Sequence, residues 1–227
     1  MTSPHDQPRL RRHDWVWLDA DPDPALVCAQ AADGGALTAA WRAAGHPFVV
    51  ARRLPDDPPG FMRLGLATPE KRRVGLLAPR SAAARTAIAP LLEEAARASC
   101  APPPWARPLT ALAERLADAG FATRVFGSLA WGFFTGLPYI RPDSDVDLLF
   151  EPDSWEEAVR LADLLSAENP PSGAPRLDGE IVLPGGWGAS WRELAARPKA
   201  VLLKGPQAAV LRPYAQLAEL FNGREAA

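Results

Sequence analysis

The chain has 227 residues, 48% of them hydrophobic and 23% charged, with a net charge of −2. That size and apolar content supply a buried core for one large domain or two small ones, and the balanced charge excludes the global basic field of a nucleic-acid-binding protein. Two cysteines, Cys28 and Cys100, are too few and too far apart for a disulfide framework or a metal-ligand spacing.

No apolar run approaches membrane-spanning length. The polar start of the chain, with Pro4 and Pro8, lacks the apolar stretch of a secretory signal. A cytoplasmic protein is therefore expected. The basic residues are nearly all arginine, and Arg9, Arg11, Arg12, Arg52, Arg53, Arg72 and Arg73 gather in the first third.

In chain order, residues 1–12 read as a loose tail, and His13 to Leu18 as a strand broken by Asp21 to Pro24. Ala36 to Ala44 has helical composition and stops at Gly45. Phe48 to Ala51, Phe61 to Leu66 and Arg73 to Leu77 read as strands. Ser81 to Ser99, rich in Ala, Leu and Glu, reads as a helix. Pro102-Pro103-Pro104 suits neither a helix interior nor a central strand, and is taken as the boundary between domains at 1–100 and 101–227.

Beyond it, Pro108 opens a helix whose Leu109, Leu112 and Leu116 share one face and which Gly120 ends. Arg124 to Phe126 is a short strand, Ala130 to Phe134 a helix, and Asp145 to Phe150 a strand. Ser154 and Glu157 form a capping-box pattern for a helix to about Ser166, and Ser190 and Glu193 repeat it. Asn169 to Pro175 reads as a loop, and Arg176 to Leu183 as a strand or a hairpin turning at Asp178-Gly179. Val201 to Leu203 is a strand, and Pro213 opens the last helix. The whole reads as an α+β protein.

The chemistry concentrates in Gly127-Ser128 and in Asp143 to Phe150. Side chains alternate on a strand, so Val146, Leu148 and Phe150 face a core while Asp145 and Asp147 stand together on the other side. Adjacent carboxylates repel unless a cation lies between them. Mg²⁺ binds through one or two carboxylates plus substrate phosphates, and paired metals can clamp an in-line phosphoryl displacement. Gly127 permits close backbone approach, and Ser128 offers a hydroxyl and an amide where a helix begins, a natural phosphate site.

Asp143, Asp145 and Asp147 could instead be a solvated acidic edge, but the strand–Gly-Ser–helix beside them favours function. A calcium loop fails because Leu148 stands where Gly is needed and Ser154 where a bidentate Glu is needed. Asp178 and Glu180 are the candidates for a third carboxylate, Asp178 slightly preferred, to complete the metal site or take a proton. Lys199 and Lys204 are candidate phosphate contacts, with solvated strand-end lysines as the equal alternative. Trp131, Phe133, Phe134 and Tyr139 read as core rather than as a stacking platform.

Gly127-Ser128 with Asp145-Val146-Asp147 resembles the nucleotidyltransferase superfamily with the DNA polymerase β-like fold. Further segments resemble one branch, the phosphoribosyl-dephospho-CoA transferases of malonate decarboxylase. They are His13-Asp14, Gly45 to Arg53, Phe126 to Trp131, Thr135 to Tyr139, Ser144 to Leu148, Asp178 to Glu180, and Trp191 to Leu194.

The resemblance implies a C-terminal catalytic domain with a mixed sheet and flanking helices, and a small N-terminal α+β domain that binds donor or carrier protein. It implies transfer of the prosthetic group from 2′-(5″-triphosphoribosyl)-3′-dephospho-CoA to a serine of the apo acyl-carrier subunit, with Mg²⁺ and release of diphosphate. Asp145 and Asp147 would be metal ligands and Ser128 a phosphate contact. The N-terminal arginines would suit an acidic carrier protein. An adenylyltransferase using ATP, acting on a small molecule or a protein, and a carrier-binding module with a degenerate site are the competing expectations.

Overall fold

A computed structural model describes residues 10–19, 27–28, 34–168 and 173–222. The expected break at Asp21 to Pro24 and the start of the Asn169 to Pro175 loop lie outside them. The chain divides into two compact units, Met1–Ala67 with Arg73–Ile88, and Thr68–Arg72 with Ala89–Ala227.

The first unit is a six-stranded antiparallel sheet. Its strands are β1 (Trp15–Leu18), β2 (Val27–Cys28), β3 (Phe48–Val50), β4 (Phe61–Ala67), β5 (Arg73–Pro79) and β6 (Ala83–Ala87), in the order β2-β5-β4-β3-β1-β6. Helix α1 (Gly34–Ala43) accompanies it. Strict alternation builds the β4–β5 hairpin. Met62, Leu64 and Leu66 on one strand and Val74, Leu76 and Ala78 on the other are buried, while the residues between them are not. Asp57 is buried and accepts from Arg63 and from the Leu54 amide, so its carboxyl is held below the ordinary range chiefly by the Arg63 hydrogen bond.

The expected helix over Ser81 to Ser99 does not form. The segment makes a short 3₁₀ turn, β6, and then α2 (Leu92–Arg97). Pro90 lies in its middle, cannot donate to a helical ladder, and biases the residue before it toward extended backbone. Ala83–Ala87 instead pairs along β1 as an edge strand.

This moves the division upstream of the expected one. Leu92 donates its amide to Thr123 O at 2.9 Å, Val125 donates to Pro90 O at 2.9 Å, and Leu92, Ala95 and Ala96 are buried, so α2 belongs to the second unit. Pro102-Pro103-Pro104 is the start of helix α3 (Pro103–Asp118), with Pro103 in the first turn where a missing amide costs nothing. Pro108 lies inside that helix rather than opening it, while Leu109, Leu112 and Leu116 are buried as expected.

The second unit holds a mixed sheet in the order β12-β11-β10-β9-β8-β7. Its strands are β7 (Arg124–Phe126), β8 (Val146–Phe150), β9 (Leu177–Leu183), β10 (Trp187–Ser190), β11 (Ala200–Lys204) and β12 (Ala209–Pro213). All neighbours are antiparallel except β8 and β9, which run parallel because helix α5 (Trp155–Ala167) carries the chain across. Ser154 Oγ caps α5 by accepting from the Glu157 amide at 3.1 Å, and Glu157 reaches back to the Asp153 amide at 3.0 Å.

Helix α4 (Gly127–Thr135) follows β7 directly, and α6 (Trp191–Ala196) follows β10. Ser190 makes no side-chain cap on α6; Glu193 accepts from the Leu202 amide instead. Pro213 ends β12, and a 3₁₀ turn separates it from α7 (Glu219–Asn222).

Asp178-Gly179 is not a turn but part of continuous β9. Gly179 has φ 139°, and a Cβ there would lie 2.0 Å from Leu148 O, so glycine is what allows β9 to lie this close to β8. No helix among the described residues is long and apolar enough to cross a membrane.

Candidate active site

Four acidic residues share one face of the second sheet. Val146, Leu148 and Phe150 are buried beneath β8, which turns Asp147 to the opposite side. The parallel register places Asp147 beside Asp178, and Glu180 follows two residues along β9 on the same face. Asp145 immediately precedes β8. Leu149, which shares that face, is 4% exposed and forms its apolar floor.

The opening of α4 abuts this group. Phe126 pairs with Asp147 across the β7–β8 ladder, so Gly127 begins the helix next to the Asp147 carboxylate. Gly127 has φ 64°, and a Cβ on it would stand 2.0 Å from Asp147 Oδ2. The absent side chain is the space the carboxylate occupies. Phe126, at the cap position of α4, makes no side-chain cap bond to the first amides. Helix starts of this kind favour anions. Ser128, half-buried, is its second residue.

Two cations touch the cluster. Arg176 donates through Nε to Asp145 Oδ1 at 2.8 Å and through Nη2 to Asp145 Oδ2. Lys204 Nζ lies 3.1 Å from Oε1 of buried Glu180. Asp178 Oδ1 accepts from the Gly179 amide at 2.8 Å. Asp147 bonds no cation among the described residues, and burial, then the charges of Asp178, Asp145 and Glu180, push its carboxyl up to about 6 against a partial offset from Arg176. The carboxylates do not already converge as a group of three metal ligands among the described residues.

The sequence singled out Gly127, Ser128, Asp145, Asp147, Asp178, Glu180 and Lys204, and the fold gathers them. It does not bring Lys199: that residue precedes β11, at the other end from Lys204, and is exposed. The sequence reading passed over Arg176, whose link to Asp145 depends on the β8–β9 pairing. Trp131 and Tyr139 are 7% and 6% exposed and stack at 5.8 Å, so they are core. In the first unit, Arg53 donates to the carbonyls of Asp57 and Pro58.

Asp147 carries a pH consequence. Its ordinary value is 3.8, so between about pH 4 and 6 the folded protein holds a proton that the unfolded chain has lost. The metal-free protein thus loses stability as pH rises through that window. Asp147→Asn removes the cost and raises stability at pH 7.5 by on the order of 2 kcal/mol, with the gain vanishing below pH 4. Urea unfolding at both pH values, in a chelator, measures it; equal gains at the two would contradict the electrostatic origin.

Two family models match the chain. The phosphoribosyl-dephospho-CoA transferase MdcG N-terminal domain covers residues 11–89, and its C-terminal domain residues 88–215. They meet where the two compact units divide. A phosphoribosyl-dephospho-CoA transferase of Xanthomonas campestris pv. campestris (strain 8004) is 41% identical over 211 residues, covering 91% of this chain and 95% of that one. One of Bradyrhizobium diazoefficiens is 35% identical over 220 residues, covering 93% and 94%. One of Pseudomonas aeruginosa is 34% identical over 193 residues, covering 83% and 82%. No solved structure matches. With both of its halves matched in order and curated relatives aligned along most of its length, the chain belongs to the phosphoribosyl-dephospho-CoA transferase family and is a transferase.

Proposed function

We propose that the protein transfers the phosphoribosyl-dephospho-CoA group from 2′-(5″-triphosphoribosyl)-3′-dephospho-CoA to a serine of the apo acyl-carrier subunit of malonate decarboxylase, releasing diphosphate. The second unit is then a nucleotidyltransferase domain of the DNA polymerase β-like kind, working in the cytoplasm, and the first unit binds donor or carrier protein. The observation that carries this reading, beside family membership, is the Asp147–Asp178 register pair set against the start of α4.

The residues fit Mg²⁺. Asp145 and Asp147 offer hard oxygen ligands, and the space left by Gly127 admits the Asp147 carboxylate at the mouth of a helix that attracts phosphate. Bound Mg²⁺ would neutralise phosphate charge as it develops on the transferred and leaving groups.

The chain's own residues do the rest. Gly127 and Ser128 present amides and a hydroxyl to the donor's phosphates. Asp178, with one oxygen tied to the Gly179 amide, completes the metal site or takes the proton from the acceptor serine. The serine oxygen bonds to the α-phosphorus, and the bond from that phosphorus to the diphosphate oxygen breaks. Glu180 fixes Lys204 at the edge of the site, where its charge faces the phosphates.

Mass spectrometry of the apo carrier subunit after incubation with protein, Mg²⁺ and donor tests the reading. A gain equal to the donor minus diphosphate is expected. No gain with folded protein and intact donor removes this donor–acceptor pair and turns attention to ATP and other nucleotides.

A further inference from the structure

One of the two carboxylates expected to hold the metal is already taken. Arg176 occupies both oxygens of Asp145 with a two-pronged guanidinium contact, and its side chain remains 65% exposed while doing so. The backbone holds the pair together, because the amide of Val146, the first residue of β8, donates at 2.9 Å to the carbonyl of Arg176, just before β9. Arg176 also feels the charges of Asp178 and Asp147, beyond its partner Asp145.

A cation bridging Asp145 and Asp147 needs at least one of the Asp145 oxygens that Arg176 holds. The cation and the guanidinium would then compete for one carboxylate, and the arginine side chain is exposed enough to turn away. It would turn into a site that, once loaded, contains the phosphates of the donor. A planar guanidinium matches phosphate as well as carboxylate, in the same two-pronged manner. The exchange keeps charge compensated on both sides: metal replaces arginine on Asp145, and phosphate replaces Asp145 on arginine.

We infer that Arg176 is an exchangeable counter-ion, which guards Asp145 in the empty site and binds the phosphates of the donor, and then the departing diphosphate, in the loaded one. This rests on the metal-dependent transfer described above. It assigns Arg176 two opposite effects that a merely structural ion pair would not have.

The test uses full-length protein and two probes, Mn²⁺ alone followed by electron paramagnetic resonance, and diphosphate with Mn²⁺ present followed by calorimetry. Arg176→Ala is expected to bind Mn²⁺ alone more tightly, by roughly tenfold, because a competing positive charge is removed from Asp145. The same variant is expected to bind diphosphate more weakly, by roughly tenfold, because the two-pronged contact is lost. Arg176→Lys should fall between, since an ammonium supplies the charge without the fork.

Mn²⁺ affinity that is unchanged or weaker in Arg176→Ala overturns the guarding role, and unchanged diphosphate affinity overturns the phosphate role. Asp147→Ala separates this from failure of the underlying reading. If the parent protein binds no Mn²⁺, or binds it no better than Asp147→Ala does, the metal site itself is wrong and the exchange falls with it. If the parent binds Mn²⁺ through Asp147 but Arg176→Ala shows neither shift, only the exchange falls.

Discussion

Asp147→Ala should lower the rate of prosthetic-group transfer by about 10³-fold or more, because a metal held at this carboxylate supplies several kcal/mol of charge stabilisation to phosphoryl transfer. Among the four carboxylates, Asp147 is the one whose loss has no substitute. Asp145 is shared with Arg176, Glu180 is committed to Lys204, and Asp178 spends one oxygen on the Gly179 amide. Asp147 bonds no cation among the described residues and lies beside Gly127, where the helix start and the acidic face come together.

The same isolation predicts that the variant folds. Removing a carboxyl whose charge is opposed by burial and by three acidic neighbours costs nothing above pH 6. Single-turnover mass spectrometry of the carrier subunit, with circular dichroism on the same sample, measures both effects. Transfer within about a factor of ten of the parent, from a folded variant, would sink the metal reading.

How far the site could be read from the chain depended on whether the signal was local. β7, β8 and α5 each carry their own: the Arg124-Val125-Phe126 run leading into Gly127, the alternation of Val146, Leu148 and Phe150 with Asp147, and the Ser154 cap. Gly127, Ser128, Asp145 and Asp147 were legible because those elements were.

The parallel pairing of β8 with β9 was not, since it is set by a helical crossover and the packing of two elements far apart in sequence. Arg176 meets Asp145 only through that pairing, so nothing near Arg176 in the sequence announces it. Asp178-Gly179 misled in an instructive way. The dipeptide does signal a glycine with unusual backbone freedom, but the fold uses that freedom to bring Leu148 close rather than to reverse the chain.

Lys199 and Lys204 looked equivalent, and only the end of β11 that faces Glu180 distinguishes them. Across Ser81 to Ser99, alanine supplied composition without a usable period, and Pro90 outweighed it.

Gly127→Ala provides the sharpest separation of fold from site. A methyl group there would sit 2.0 Å from Asp147 Oδ2, so the carboxylate must move or the helix start must shift, and either change displaces the two halves of the site from each other. Displacement of about 1 Å in a phosphoryl-transfer site is enough to lower the rate on the order of 10²-fold. The substitution also forces an alanine to φ 64°, a left-handed position that costs about 1–2 kcal/mol whatever the neighbours are.

Gly136 isolates that second cost. It lies just past the other end of the same helix with φ 70°, and a Cβ on it meets nothing within 4 Å. Gly136→Ala should therefore lose about the same 1–2 kcal/mol of stability while transferring the group at close to the parent rate. Thermal unfolding should pair the two variants, and single-turnover transfer should part them by on the order of 10²-fold. Equal activity losses in both would mean that strain in α4, rather than the space Gly127 leaves for Asp147, governs the site, and the geometric link between the helix start and the acidic face would have to be abandoned.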